Sequence, residues 1–250
     1  CNDLVQVSLD QDCQAGITPD MILDGTYFCF DDYTVTVTGL NGTPNFGNTV
    51  TGANIGQTLK VTVKHLVSGN TCWGRIYVED KLAPVLECSD VTISCGITNY
   101  QPDYLDNVLN IDEAYPLVDE NCGDHTLSFV DDFFDLPCDG TFNGVPDLSA
   151  YARRVWTAVD DSGNSASCTQ FIYFTRKHVS DVLLPADVTV SCTAPVTDPA
   201  VTGTPYIEDH GLKINLYPGN TFCEMQAGYV DQQLPDCDGS YKILRTWTVL

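Results

Sequence analysis

Cys88-Ser89-Asp90-Val91-Thr92-Ile93-Ser94-Cys95 and Pro185-Ala186-Asp187-Val188-Thr189-Val190-Ser191-Cys192 are two versions of one segment. In the first, Val91, Ile93 and Cys95 share one face of an extended strand, while Thr92 and Ser94 share the other. Val188, Val190 and Cys192 repeat that alternation. Cys1-Asn2-Asp3-Leu4-Val5-Gln6-Val7-Ser8 is a third, looser version. Further out, Arg154-Val155-Trp156-Thr157-Ala158-Val159 returns as Arg245-Thr246-Trp247-Thr248-Val249-Leu250. Ser68-Gly69-Asn70-Thr71-Cys72 through Ile76-Tyr77-Val78 likewise returns as Ser162-Gly163-Asn164, Cys168 and Ile172-Tyr173-Phe174. Self-similarity at domain length marks a tandem array. It divides the chain into residues 1–82, 83–177 and 178–250, the last incomplete at its C-terminus because the hairpin and final strand expected after Trp247 do not follow.

Between these landmarks the pattern is β. Tyr33 to Thr38 and Leu59 to Lys64 alternate strictly, and turn clusters such as Asn41-Gly42-Thr43, Asp161-Ser162-Gly163-Asn164 and Asp236-Cys237-Asp238-Gly239 separate such runs. Only Tyr104 to Ala114 reads as helical. Short strands with turn signals predict an all-β fold of tandem immunoglobulin-like β-sandwich domains. The linker Glu79-Asp80-Lys81-Leu82-Ala83-Pro84 is short and stiffened by proline, so a rod-like array is expected. The chain opens on Cys1 and stops at Leu250 inside an apolar alternation, as a segment of a larger protein would.

Composition narrows the function. The 250 residues carry 11 basic and 34 acidic side chains, a net charge of −23 that repels nucleic acid and anionic lipid. No apolar run reaches the ~18 residues of a membrane span, so membrane insertion is excluded as a reading. Twelve cysteines without any Cys-x-x-Cys, and with His65, His125, His178 and His210 scattered, point to disulfides in an oxidising, extracellular setting rather than to zinc. His-Glu-x-x-His, Gly-x-Ser-x-Gly and a phosphate-cradling loop are all missing, so the chain is read as non-catalytic.

Asp80-Lys81-Leu82-Ala83-Pro84-Val85-Leu86-Glu87-Cys88 through Cys95 resembles the opening of a HYR-type immunoglobulin-like repeat. Trp156-Thr157-Ala158-Val159-Asp160-Asp161-Ser162-Gly163-Asn164 through Cys168 resembles its closing hairpin. The resemblance spans residues 79–192, continues in part over 193–250 and is loosest over 1–60. It implies a place among large secreted surface proteins, notably adhesins and motility or attachment filaments of Bacteroidota, and names no ligand. Residues 1–82 depart from it in lacking the Trp-Thr-Ala-Val-Asp run, and Phe129 to Phe142 is an acidic, aromatic insertion.

Spacing and face suggest the disulfides Cys1–Cys13, Cys29–Cys72, Cys95–Cys168, Cys122–Cys138 and Cys223–Cys237. Cys95 and Cys168 are expected to point inward from opposing sheets. Cys88 and Cys192 stay unassigned; Cys88 has Cys168, a neighbouring domain or another subunit as alternatives. Acidic clusters are the candidate calcium ligands, since calcium takes six to eight oxygens: Asp131, Asp132 and Asp135; Asp160, Asp161 and Asn164; Glu79 and Asp80. Trp156 and Trp247 are expected in cores, Arg154 and Arg245 as structural partners of aromatics or carboxylates, and Trp73 with Tyr77 on an outward face. The leading reading is a structural or adhesive segment of a surface fibre, stalk or attachment filament that associates with itself or with neighbouring repeats. The alternative is a carbohydrate-type accessory module, which predicts an exposed aromatic strip for a glycan or cell-surface ligand.

Overall fold

The computed structural model describes residues 1–25, 29–191, 195–219, 223, 225–235 and 240–250, with backbone alone at 138 and 139. These residues form two compact units. One comprises Cys1–Glu87, Leu117–Phe129 and Val155–Cys168; the other comprises Cys88–Pro116, Val130–Arg154 and Thr169–Leu250.

The first unit is built on β1 (Leu4–Ser8), β2 (Gln14–Gly16), helix α1 (Pro19–Ile22), β3 (Tyr33–Thr38), β4 (Asn45–Gly47), β5 (Thr49–Thr51), β6 (Thr58–His65) and β7 (Thr71–Glu79). The sheet β1-β7-β6-β3-β4 faces the β2-β5 ribbon. The alternation legible at Tyr33 to Thr38 and Leu59 to Lys64 is what closes this sandwich. Val37, Leu59, Val61, Val63, Ile76 and Val78 turn inward from one sheet and meet Ile17, Ile22 and Val50. Strand β1 pairs in parallel with β7, Leu4 opposite Arg75. A Cβ at Gly74 would stand 2.2 Å from the Asn2 carbonyl oxygen, so glycine is what admits the chain entering β1. Two further short strands, β8 (Val85–Glu87) and β9 (Val91–Ser94), precede helix α2 (Pro102–Asn107). Strand β10 (Leu117–Asp119) then runs antiparallel to β8.

Three long strands follow: β11 (His125–Phe142), β12 (Val145–Asp160) and β13 (Ser165–Thr175). Asn143 and Gly144, both at positive φ (50° and 81°), make the β11–β12 turn. In the second unit the sheet order is β11-β12-β13-β9, with β13 parallel to β9: Ile172 opposite Val91, Phe174 opposite Ile93. Ala150, Ala152, Ile172 and Phe174 pack on Val91, Ile93, Ile97, Leu105 and Ala114, the last two from the helical stretch expected after Tyr104. Gln170, buried in β13, donates to the carbonyl oxygens of Ser89 (2.7 Å) and Glu113 (2.6 Å) and so satisfies its buried amide. A smaller core of Ile207, Leu216, Met225 and Ala227, with Ile214, Trp247 and Val249 packed on it, lies among the remaining elements of this unit. These are helix α3 (Pro199–Thr202), β14 (Tyr206–Asp209), β15 (Leu212–Asn215), β16 (Ala227–Pro235) and β17 (Tyr241–Val249).

Two expectations about 178–250 are corrected. Residues 188–191 belong to no strand, and Cys192 lies outside the described residues. Trp156 is buried as expected, against Phe129 at 4.9 Å. Trp247 is only partly covered, packing on the small core beside Val249.

The disulfides also differ. Cys1 bonds Cys72, not Cys13, and Cys29 is a free exposed thiol rather than the partner of Cys72. The parallel register explains this, since the offset that sets Leu4 beside Arg75 also sets Cys1 beside Cys72. Cys13 bonds Cys122, which replaces the expected Cys122–Cys138; the Cys138 side chain lies outside the described residues. Asn121 Nδ2 donates to the Asp10 carbonyl oxygen at 3.0 Å, holding those two loops together. Cys95 bonds Cys223, replacing both Cys95–Cys168 and Cys223–Cys237, and Cys237 too is outside the described residues. Strands β9 and β13 are neighbours in one sheet, not opposed across two. The Cys95 amide reaches the Thr175 carbonyl oxygen, so Cys95 sits level with the far end of β13 from Cys168. Cys88, unassigned from the sequence, and Cys168 each stand in a disulfide bond.

A candidate divalent-cation site

Three strand ends meet in the first unit. Asp80 follows the last residue of β7, Glu120 follows β10, and Asp160 is the last residue of β12. One carboxylate oxygen from each lies within 4.8 Å of the other two. Asp80 is 6% exposed and Asp160 7%, and Glu120 is half-buried.

Local hydrogen bonds fix each side chain. Asp80 Oδ1 accepts the Leu82 amide (3.0 Å), turning the chain toward Pro84. Glu120 Oε1 accepts the Cys122 amide (3.0 Å) in the loop anchored by the Cys13–Cys122 bond. Asp160 closes the β12–β13 turn: its Oδ1 accepts the Asn164 amide and its Oδ2 the Asn164 side-chain Nδ2, both at 2.8 Å. The same Nδ2 donates to the Asp80 carbonyl oxygen at 3.2 Å, so Asn164 ties two of the three strand ends together.

These bonds leave Glu120 Oε2 buried and without a hydrogen bond. None of the three carboxylates forms an ion pair among the described residues, because nearby Lys81 is engaged by Glu79 at 2.7 Å. Three like charges withdrawn from water cost several kcal/mol each unless an opposite charge joins them. An all-oxygen set of carboxylates suits a hard divalent cation, calcium or magnesium, and not a thiolate- or imidazole-seeking metal.

Of the residues singled out as calcium ligands, the fold brings Asp80, Asp160 and Asn164 together. Asp161 lies next to them in sequence but accepts the Asp124 amide. The fold assigns others elsewhere, because a neighbouring cation has already claimed them. Asp131 is gripped by both Nε and Nη2 of Arg154 at 2.8 Å, Asp132 by Arg153, and Glu79 by Lys81. Asp135 lines a groove in the second unit with Phe133 and Leu136. Glu120 carried no local signal; only its place at the end of β10, beside the cysteine that reaches Cys13, could have marked it.

Aromatic side chains form a second cluster, in the second unit. Phe142 and Tyr151 stack at 3.8 Å and 3°, with Phe134 on Tyr151 at 4.8 Å and Phe171 edge-on to Phe142 at 5.3 Å. In this strip the rings cover one another. In the first unit Trp73 is exposed as expected, with Lys60 Nζ 5.4 Å from its ring centroid.

No family model matches the chain, and no curated protein does. Among solved structures it is similar to Drosophila N-cadherin EC1-4, at 15% identity over 71% of this chain and 48% of that one, with a TM-score of 0.25. Protocadherin gamma B7 domains 1-4 match at 11% identity, covering 100% of this chain and 74% of that one, TM-score 0.24. The human desmocollin-1 ectodomain matches at 12% identity, covering 98% and 56%, TM-score 0.21. The chain thus spans about half the length of the N-cadherin structure. At such scores these likenesses carry no functional reading.

Proposed function

We propose that this chain is a non-catalytic structural and adhesive segment of a large extracellular repeat protein. It would form part of a surface fibre, stalk or attachment filament, with calcium held by Asp80, Glu120 and Asp160. The observation that carries this reading is the carboxylate triad with its unsatisfied Glu120 oxygen. An ion there joins the ends of β7, β10 and β12, three points far apart in sequence, and resists their separation. Calcium supplies charge neutralisation and cross-linking when bound. The protein's part is to hold the oxygens converged, through Asn164, the Leu82 and Cys122 amides, and the Cys13–Cys122 bond. Disulfides at Cys1–Cys72, Cys13–Cys122 and Cys95–Cys223 fit the same role, since they require an oxidising compartment and resist extension. The HYR-type resemblance of residues 79–192 supports the repeat-protein context, and neighbouring repeats of the same protein are the natural partners.

Electron microscopy of native material carrying this chain, with and without a calcium chelator, tests the reading. Regular filaments or stalks that soften on chelation are expected. Monodisperse particles indifferent to calcium would contradict it and turn attention to glycan binding.

A further inference from the structure

We propose that the outward face of the first unit's five-stranded sheet binds an acidic polysaccharide, with Lys60, Lys64 and Arg75 taking its carboxylates and Trp73 stacking on a sugar ring. The site gives the adhesive part of the proposed role a ligand, and it needs neither the cation site nor assembly into a fibre.

Charge is unevenly distributed along this chain. Overall 34 acidic side chains stand against 11 basic ones. The strands of the β1-β7-β6-β3-β4 sheet reverse that balance, holding the cations Lys60, Lys64 and Arg75 and a single carboxylate, Glu79. Glu79 is the last residue of β7 and is taken by Lys81. Elsewhere Arg153, Arg154, Lys177 and Arg245 are each held by a carboxylate as well. Among the described residues, none of the three sheet cations forms an ion pair.

Strand pairing sets these side chains in three rows. Lys60 stands opposite Arg75, Thr62 opposite Trp73, and Lys64 opposite Thr71, and β3 extends each row with a threonine. Val61, Val63, Ile76 and Val78 alternate with them and turn into the core, so the three rows face outward. Alternate residues of a strand lie roughly 7 Å apart, which sets Lys60 and Lys64 about 13 Å apart with the Trp73 row midway. Trp73 is 58% exposed, and Lys60 Nζ is 5.4 Å from its ring centroid, so a ring and a charge are presented together.

These groups suit a chain of acidic sugars. Ammonium and guanidinium groups make charge-assisted hydrogen bonds to carboxylates, and threonine hydroxyls both donate to and accept from sugar hydroxyls. The negative face of an indole takes the polarised C–H bonds of a sugar ring. Screening, with a Debye length of about 8 Å at physiological salt, keeps the acidic surface beyond the sheet from cancelling the three charges. A second copy fits less well. Stable protein interfaces bury about 800 Å² per partner around an apolar core depleted in lysine, and two chains of net charge −23 repel. Duplex nucleic acid carries one charge per ~1.7 Å of axis and is bound through about 6–10 phosphate contacts, more than three cations can meet. An acidic polysaccharide spaces its carboxylates a sugar apart.

The test titrates oligogalacturonate, and separately its methyl ester, into the full oxidised chain in chelator, followed by heat release and tryptophan fluorescence. The ester keeps the sugar backbone and removes the charge. Saturable binding of the acid and not of the ester is expected, weakening as salt rises. Trp73→Ala and Lys64→Gln are each expected to weaken it about tenfold, and Lys64→Gln, at an exposed position, leaves the unfolding temperature unchanged. No binding, equal binding of the ester, or binding indifferent to either substitution would overturn the proposal. So would tighter binding of a single-stranded oligonucleotide than of the acid, because the face would then belong to nucleic acid. Self-association of the unmodified chain that Lys64→Gln abolishes would assign it instead to a second copy and overturn the proposal too. Because chelator removes calcium from the titration, a failure here and a failure of the calcium reading are distinguishable.

Discussion

Arg154 and Arg245 do the same work at equivalent places on β12 and β17. Each clamps the carboxylate of a neighbouring strand, Asp131 or Asp231, and each spends a further N–H on a backbone carbonyl of a loop. Arg154 is completely enclosed, while the Arg245 pair stays open to water at 14% and 29% exposure. An aromatic ring faces each guanidinium, Tyr100 at 5.8 Å and Tyr229 at 4.4 Å.

Their difference in burial sets the first expectation. Arg154→Ala strands Asp131 with its charge largely out of water and lowers stability by about 3–5 kcal/mol. Arg245→Ala costs less, roughly 1–3 kcal/mol, because water can replace the lost partner. Urea unfolding of both variants checks the order, and equal losses would contradict it.

Acid sensitivity follows from the same pair. Hydrogen bonds from Arg245 hold the Asp231 carboxyl below the usual carboxylate range, against a smaller opposing effect of burial. A carboxylate with a depressed folded pKa contributes stability that is fully present above its unfolded value, near 3.9. That contribution is lost as pH falls through the folded value. Asp231→Asn therefore flattens the stability profile below about pH 4 and leaves its slope near pH 7 unchanged. Denaturant midpoints between pH 2 and 7 read this out.

Disulfide exchange separates Cys1–Cys72 from the free thiol. Replacing both Cys1 and Cys72 by serine opens a loop of 71 residues and costs roughly 4 kcal/mol on the chain-entropy account. Cys29→Ser changes stability by less than about 0.5 kcal/mol, as surface substitutions do. Thermal unfolding under non-reducing conditions distinguishes the two.

Much of this architecture is legible in the sequence because it is local. Strict alternation at Tyr33 to Thr38 and Leu59 to Lys64 marks strands that the fold keeps, since the period of two survives in any sheet with one buried face. The repeats at Cys88 to Cys95 and Arg154 to Val159 are legible for the same reason. Long-range partnership is not. Cys1 finds Cys72 through the register of β1 on β7, and Cys13 finds Cys122 through two loops distant in sequence. The Val188 to Ser191 run has the alternation of a strand, yet among the described residues it forms none, so propensity alone does not make it one. At the candidate site Asp80, Asp160 and Asn164 stand out as acidic or turn residues at element ends. Glu120 gains its role only from the folding of β10 beside them. Asp131 and Asp132 mislead, because a carboxylate's neighbouring arginine on the next strand is invisible until the hairpin is in register.

Removing one charge from the triad has opposite effects with and without the ion. In chelator, Glu120→Gln relieves like-charge crowding and raises the unfolding temperature. In millimolar calcium the same variant is less stable than the parent, because it has lost a ligand. Paired thermal scans check the reversal; a change of one sign in both conditions would show Glu120 to be only a packing residue.

Calcium binding by the unmodified chain is the central claim. Titration of calcium into the metal-free, oxidised protein, followed by heat release and by unfolding temperature, is the measurement. One ion per chain is predicted at the triad, with stabilisation of about 2.7 kcal/mol when free calcium is one hundred times the Kd, and with loss of that binding in Asp160→Asn. An unfolding temperature indifferent to millimolar calcium, with no bound ion, would contradict the account.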